Sequence, residues 1–265
     1  TVYNLEQWAN SPFAVPTDCT VSKTLSGSYQ PHGSPAVNGA VSSSKQLIVD
    51  GFTNAPSVGE SFQFGGTGTT FTIQSVNATG NANEYILILD AVTSQSNNAT
   101  LVFTTSKVFS GLNSTPSLIG KVVHATSGST EEDAIFYYGS GTVSSGGVVR
   151  FQKVASSCDI GLDYTVDIET LPIDSMQTVR GLGSLYGFPK KIGKTVLELN
   201  KTYNLQLNEK DILLGNGIAP STGMISFTGK KEIYALGYST QPSVKITQSI
   251  PVPFRILSIT SEVMY

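Results

Sequence analysis

Gly141 to Pro172 reads GTVSSGGVVRFQKVASSCDIGLDYTVDIETLP. Ser144-Ser145-Gly146-Gly147 is turn chemistry, because small residues and glycine tolerate the backbone angles that a reversal demands. Val149 and Phe151 then alternate with Arg150 and Gln152, the period of two that marks a half-buried strand. Gly161 opens a second extended run through Tyr164, Val166 and Ile168, which stops at Pro172. The stretch is a turn, a strand, a turn and a second extended segment. It holds no combination of side chains that would carry catalysis.

The same pattern extends in both directions. Upstream, Gln46–Val49, Phe62–Phe64, Phe71–Val76, Tyr85–Asp90 and Thr100–Thr104 follow one another at short spacing, punctuated by Asn54-Ala55-Pro56, Gly65-Gly66, Gly68 and Gly80-Asn81. Strands spaced like a meander predict a small β-barrel or sandwich. Ile86 to Leu89 is apolar on both faces and is expected in a central strand. Downstream, strands are predicted at Lys121–His124, Ile135–Tyr138, Val148–Val154, Tyr164–Ile168, Thr195–Leu199, Tyr203–Leu207, Met224–Phe227, Val244–Thr247 and Val252–Ile259. Only Asp174–Val179 suggests a turn of helix. The fold class is all-β: a discontinuous antiparallel domain of residues 1–40 and 108–265, with a small β-barrel or sandwich, residues 41–107, inserted into it. The Ser/Pro/Gly-rich run from Ser26 to Ser44 reads as the linker at the first boundary. Insertion is tolerated because the ends of a meander lie close together. The C-terminal strand, with Phe254 inward, is expected to close the host domain against Val149, Phe151 and Tyr164–Ile168.

Composition excludes several function classes. The chain has 265 residues, a formal charge of −3 and only 13% charged residues. A dedicated nucleic-acid binder needs a basic face, and this chain is acidic overall. No run reaches the ~18 apolar residues of a membrane-spanning helix. The first residues, TVYNLEQWAN, have neither the basic nor the apolar region of a secretion signal.

The motifs of chemistry are absent. His32 lies in a Pro/Gly loop and His124 at a strand end, neither with a partner at metal-ligand spacing. Gly65-Gly66-Thr67-Gly68 lacks the lysine and the helix of a phosphate loop and reads as a hairpin turn. Gly181-x-Gly183 lacks the setting of a dinucleotide site. Glu131-Glu132-Asp133 reads as a solvated turn. Asp167 and Glu169 share one strand face, the one place where a carboxylate pair of a glycan-cleaving enzyme would fit, and the plainer reading is a solvent-facing edge. Trp8 and Tyr137-Tyr138 lack the spacing of a sugar-stacking platform. The basic knots Lys190-Lys191 with Lys194, and Lys230-Lys231, suit subunit contacts or solvation better than DNA contact. The expected catalytic, cofactor-binding and metal residues are therefore none, and the expected cofactors are none.

The Gly141–Pro172 run resembles a segment near the C-terminal end of the tail tubular protein B, or tail nozzle, family of short-tailed bacteriophages. The skeleton Gly161-Leu162, Tyr164-Thr165 and Glu169-Thr170-Leu171-Pro172 matches; Ile160, Asp163 and Val166 depart from it. Ser110-Gly111-Leu112 with Leu118, Gly120, Val122 and Val123 is similar to a phrase that precedes the run in that family. Gly187, Pro189, Lys190, Lys191 and Ile192 resemble its basic segment. Ser249 to Ile259 resembles its ending, and Tyr3 to Glu6 with Asp18 its approach to the last domain. The resemblance covers roughly the first twenty-five residues and everything after Val108, in the family's order. It implies the C-terminal portion of a virion structural protein located in the tail, not an enzyme. Such a protein is a subunit of a homo-oligomeric, hexameric ring forming the DNA exit channel for genome ejection. Its partners would be a tail adaptor protein and tail fibres, with transient, sequence-independent passage of double-stranded DNA and no stable nucleic-acid binding. A receptor- or glycan-binding tail appendage, with or without depolymerase activity, is the alternative. Cys19 and Cys158 permit one bridge, but assembly in a reducing cytosol favours free, buried thiols.

Overall fold

The computed structural model describes residues 20–114, 117–127, 134–163, 165–172, 178–179, 183–184, 189–214, 224–234 and 238–264. The protein is all-β, and the pairings among its described strands are antiparallel. Its contacts divide into two units. One comprises Val15–Ser127 with Tyr137–Leu162, the other Thr1–Ala14, Gly128–Phe136 and Asp163–Tyr265.

The first unit begins with β1 (Thr20–Thr24), β2 (Gly33–Val37), β3 (Val41–Phe52), β4 (Ser61–Phe64), β5 (Thr70–Ala78) and β6 (Tyr85–Gln95). It continues with β7 (Leu101–Phe109), β8 (Val122–Ser127), the part of β9 (Ala134–Thr142) from Tyr137 onward, β10 (Val149–Ala155) and β11 (Ser157–Leu162). One sheet runs β10-β7-β4-β5-β6-β3-β2. It curls until β2 reaches the start of β7: Ala36 bridges Thr100, Val37 donates its N–H to Ala99 at 3.0 Å, and Asn98 donates to Val37 at 2.9 Å. Alternate residues point into the curl, as a period of two requires. They are Val37, Leu47, Val49, Phe52, Phe62, Phe71, Ile73, Leu87, Leu89, Leu101 and Phe103, all buried. The Phe62 ring meets Phe103 at 5.7 Å and Phe64 edge-on at 5.4 Å, within the range of favourable aromatic pairs. β6 does lie inside the sheet, between β5 and β3. Its outward residues Ile86 and Ile88 nonetheless remain half-exposed, so only one of its faces is core.

A second core in this unit gathers Phe109, Leu112, Leu118, Val123, Ala125, Val149, Phe151, Cys158 and Ile160. It lies on the sheet β1-β11-β8-β9. The Ser144–Gly147 turn forms as its composition predicts, with Gly147 donating to the Ser144 carbonyl at 2.9 Å.

The second unit holds β12 (Val166–Glu169), β13 (Thr178–Val179), β14 (Gly183–Ser184), β15 (Lys190–Thr202), β16 (Gln206–Leu207) and β17 (Lys210–Asp211). Then come β18 (Met224–Ile225), β19 (Phe227–Tyr234), β20 (Tyr238–Ser239), β21 (Lys245–Gln248) and β22 (Ile256–Met264). β15 is its central strand, paired with β19 and β22 along most of its length and with β20 at its start. A small sheet runs β12-β21-β16-β17. Ile192, Leu197, Leu199, Leu205, Leu207, Val244 and Ile246 form the core.

Several expectations change. The insert expected at 41–107 has a core of its own, but its sheet takes in β2 on one side and β10 on the other, and β7 runs unbroken through position 107 to Phe109. The Ser26–Ser44 run is not simply a linker, because its middle is the strand that closes the curl. Thr178 and Val179, expected in a helical turn, form a strand with Gly183 and Ser184; 173–177 lie outside the described residues. The C-terminal strand pairs with β15, not with Val149 and Phe151, which belong to the first unit's core. Phe254 is half-buried and Val252 is the fully buried residue there. Gly161, expected to open the second extended run, instead ends β11 with Leu162, and only Val166–Glu169 forms the next strand, paired with β21.

Candidate functional site

The approach to β2 places His32 beneath the barrel wall, where it is fully buried. Its backbone carbonyl accepts the Thr53 N–H at 2.9 Å. Its Nδ1 lies 2.8 Å from the Asn54 carbonyl oxygen. Its Nε2 lies 3.0 Å from Glu60 Oε2 and 3.1 Å from Ser106 Oγ. Glu60, just ahead of β4, and Ser106, in β7, are also fully buried. The Glu60 carboxylate accepts N–H groups from Ser57 at 2.8 Å and Lys107 at 2.7 Å, and the Ser106 hydroxyl at 3.0 Å. Burial opposes charge on Glu60. The His32 hydrogen bond and charge, with the Lys107 and Ser57 amides, outweigh it and hold the carboxyl below its usual range. The ring of Phe103 packs 4.4 Å from the imidazole.

These residue types are those of a serine–histidine–carboxylate triad, but their arrangement is not. A triad needs serine and carboxylate on opposite ring nitrogens and a path for substrate. Here both face Nε2, Nδ1 is held by a carbonyl, and all three side chains are sealed. The cluster is a polar joint that fastens three segments of the barrel. His32, expected in a Pro/Gly loop, is fully buried just ahead of β2. Glu60 and Ser106 were not singled out by the sequence. They are 28 and 74 positions from His32, and no local pattern connects them.

The other candidates are dispersed. His124, nearly buried in β8, stacks on Tyr137 at 5.8 Å and lies 2.8 Å from its hydroxyl. Tyr138 packs against the second core and shares a hydrogen bond with Ser127. Glu84 accepts hydrogen bonds from Thr79, Asn81 and Asn38, which hold its carboxyl below the usual range. They tie the β5–β6 turn to the end of β2. Gly65–Gly68 is the β4–β5 hairpin turn. Asp167 and Glu169 are exposed on β12, an outer strand of its sheet. Asp167 pairs with Lys245 at 2.9 Å and Glu169 accepts the Ser243 hydroxyl. Trp8, Cys19, Glu131–Asp133 and Gly181 lie outside the described residues. Cys158 is a free, buried thiol, and burial pushes its pKa well up.

The basic knots are partly neutralised within their own sheet. Lys194 pairs with Glu232 at 2.9 Å, and Lys230 stands opposite Glu198. Lys190 is fully buried. Lys191 lies over the Tyr238 ring at 5.4 Å. Among the described residues no group of three or more metal-ligating side chains converges. An open depression of about 410 Å³ lies along the β2–β3 turn between Asn38 and Ile48, without a charged or aromatic side chain in its lining. In comparisons with known proteins, no family model matches the chain and no curated relative matches it at a significant level.

Proposed function

We propose that this chain is a virion structural protein, a subunit of the nozzle ring through which a short-tailed phage releases its double-stranded DNA. The observation that carries the reading is the ordered series of motifs from Ser110 through Gly161–Pro172 and Lys190–Ile192 to Ser249–Ile259. An all-β build is consistent with it. The pairing of Lys194 with Glu232 supports a conduit, because each free phosphate contact would add salt-sensitive grip on the passing DNA. The subunit joins unlike faces of its neighbours in a closed hexamer, and a tail adaptor and tail fibres are its further partners. Asp167 and Glu169, on which an enzymatic tail appendage would depend, are engaged by Lys245 and Ser243 at an exposed sheet edge. Electron microscopy of the purified full-length protein tests the reading. Closed hexameric rings are expected. Elongated trimers, or monomers at every concentration, would overturn it.

A further inference from the structure

Asn38-Gly39, in the turn between β2 and β3, is the one Asn-Gly pair among the described residues; Asn216-Gly217 lies outside them. Glycine after asparagine leaves the next backbone nitrogen free to reach the side-chain carbonyl carbon, because no Cβ stands in the way. Gly39 has a φ of 88°, and nothing lies within 4 Å of where a Cβ would stand. Asn38 is exposed and lines the open depression along this turn, so water reaches it. Both reacting groups are nonetheless tied. The Gly39 N–H donates to Asn97 Oδ1 at 2.8 Å, and Asn38 Nδ2 donates to Glu84 Oε1 at 2.7 Å. The Asn38 N–H is also engaged, by the Ile48 carbonyl at 2.8 Å.

We propose that Asn38 is a site of spontaneous deamidation, held in check by Asn97 and Glu84, and that its conversion loosens the closure of the barrel. The Gly39 nitrogen attacks Asn38 Cγ and forms the new C–N bond. The side-chain nitrogen leaves as ammonia, taking up the hydrogen that the Gly39 nitrogen gives up. Water then opens the five-membered imide at one carbonyl or the other, leaving aspartate or isoaspartate. Nothing is oxidised or reduced, and water is the co-reactant. Attack requires the Asn38–Gly39 peptide to turn toward Cγ, which withdraws the Gly39 N–H from Asn97 and the Asn38 amide from Glu84. The position gives the reaction its leverage. Val37, the preceding residue, makes the hydrogen bonds to Ala99 and Asn98 that close the curl. Glu84 is buried, with Oε1 served by Asn38 and Oε2 by Thr79 and Asn81. An aspartate at position 38 replaces a donor with a second carboxylate, and the two like charges repel. An isoaspartate adds a carbon to the main chain and shifts the N–H away from Ile48.

The test uses the whole chain, aged in mildly alkaline buffer and followed by peptide mapping that separates asparagine, aspartate and isoaspartate at position 38. Conversion is expected to run several-fold slower in the folded chain than in the same chain held in denaturant. Asn97→Ala, a change at an exposed side chain, is expected to raise the folded rate several-fold. Equal rates in folded and denatured wild type, or no gain in Asn97→Ala, would overturn the restraint. The consequence is read from thermal midpoints. Asn38→Asp is expected to melt below wild type. Adding Glu84→Gln is expected to recover much of the loss, because the new amide nitrogen meets the carboxylate at position 38 while its oxygen still accepts from Thr79 and Asn81. A wild-type midpoint in Asn38→Asp, or no recovery in the double variant, would overturn the loosening.

Discussion

Gly147 shows how much one residue settles. It sits at a φ of 72° in the turn before β10, a region where L side chains are strained. A Cβ there would lie 2.7 Å from the Asn113 backbone nitrogen. Gly147→Ala is therefore expected to cost about 1–3 kcal/mol, read as a lower thermal midpoint with unchanged secondary structure; an unchanged midpoint would mean that the turn relaxes freely. The sequence marked this turn because its requirement is local. It could not mark Glu60, whose importance comes from a histidine before β2 and a serine in β7.

At the level of elements, β15 organises the second unit. Leu197 is fully buried, with Lys231 of β19 and Ile259 of β22 as its cross-strand partners. Leu197→Ala is expected to lose about 2–5 kcal/mol, as deeply packed leucines do. Phe254 keeps part of its surface in solvent, so Phe254→Ala is expected to lose clearly less than Leu197→Ala in chemical denaturation. A larger loss at Phe254 would show that it, and not the β15 pairing, anchors the C-terminal strand. The alternation of Val252, Phe254 and Ile256 is plain in the sequence, but the strand begins only at Ile256, later than the expected Val252, and its partner is not legible there. An alternating strand fits any sheet with a matching apolar face, and only the assembled register selects β15.

For the whole molecule, the contact division predicts that a fragment of residues 15–162 contains a complete folding unit. It should give a cooperative thermal transition, checked by circular dichroism. A fragment that melts without cooperativity would show that the remainder is needed to hold it. The sequence by itself determined the all-β class, most strand positions, the Ser144–Gly147 turn and the hairpin at Gly65–Gly68. Each depends on side-chain period and turn chemistry within a few residues. Only the tertiary structure decided that the Ser/Pro/Gly-rich run after Ser26 supplies a barrel strand, that β22 joins β15, and that His32 meets Glu60 and Ser106. Those outcomes depend on which distant strands share a sheet and a buried face, and a period of two is the same whichever partner a strand finds.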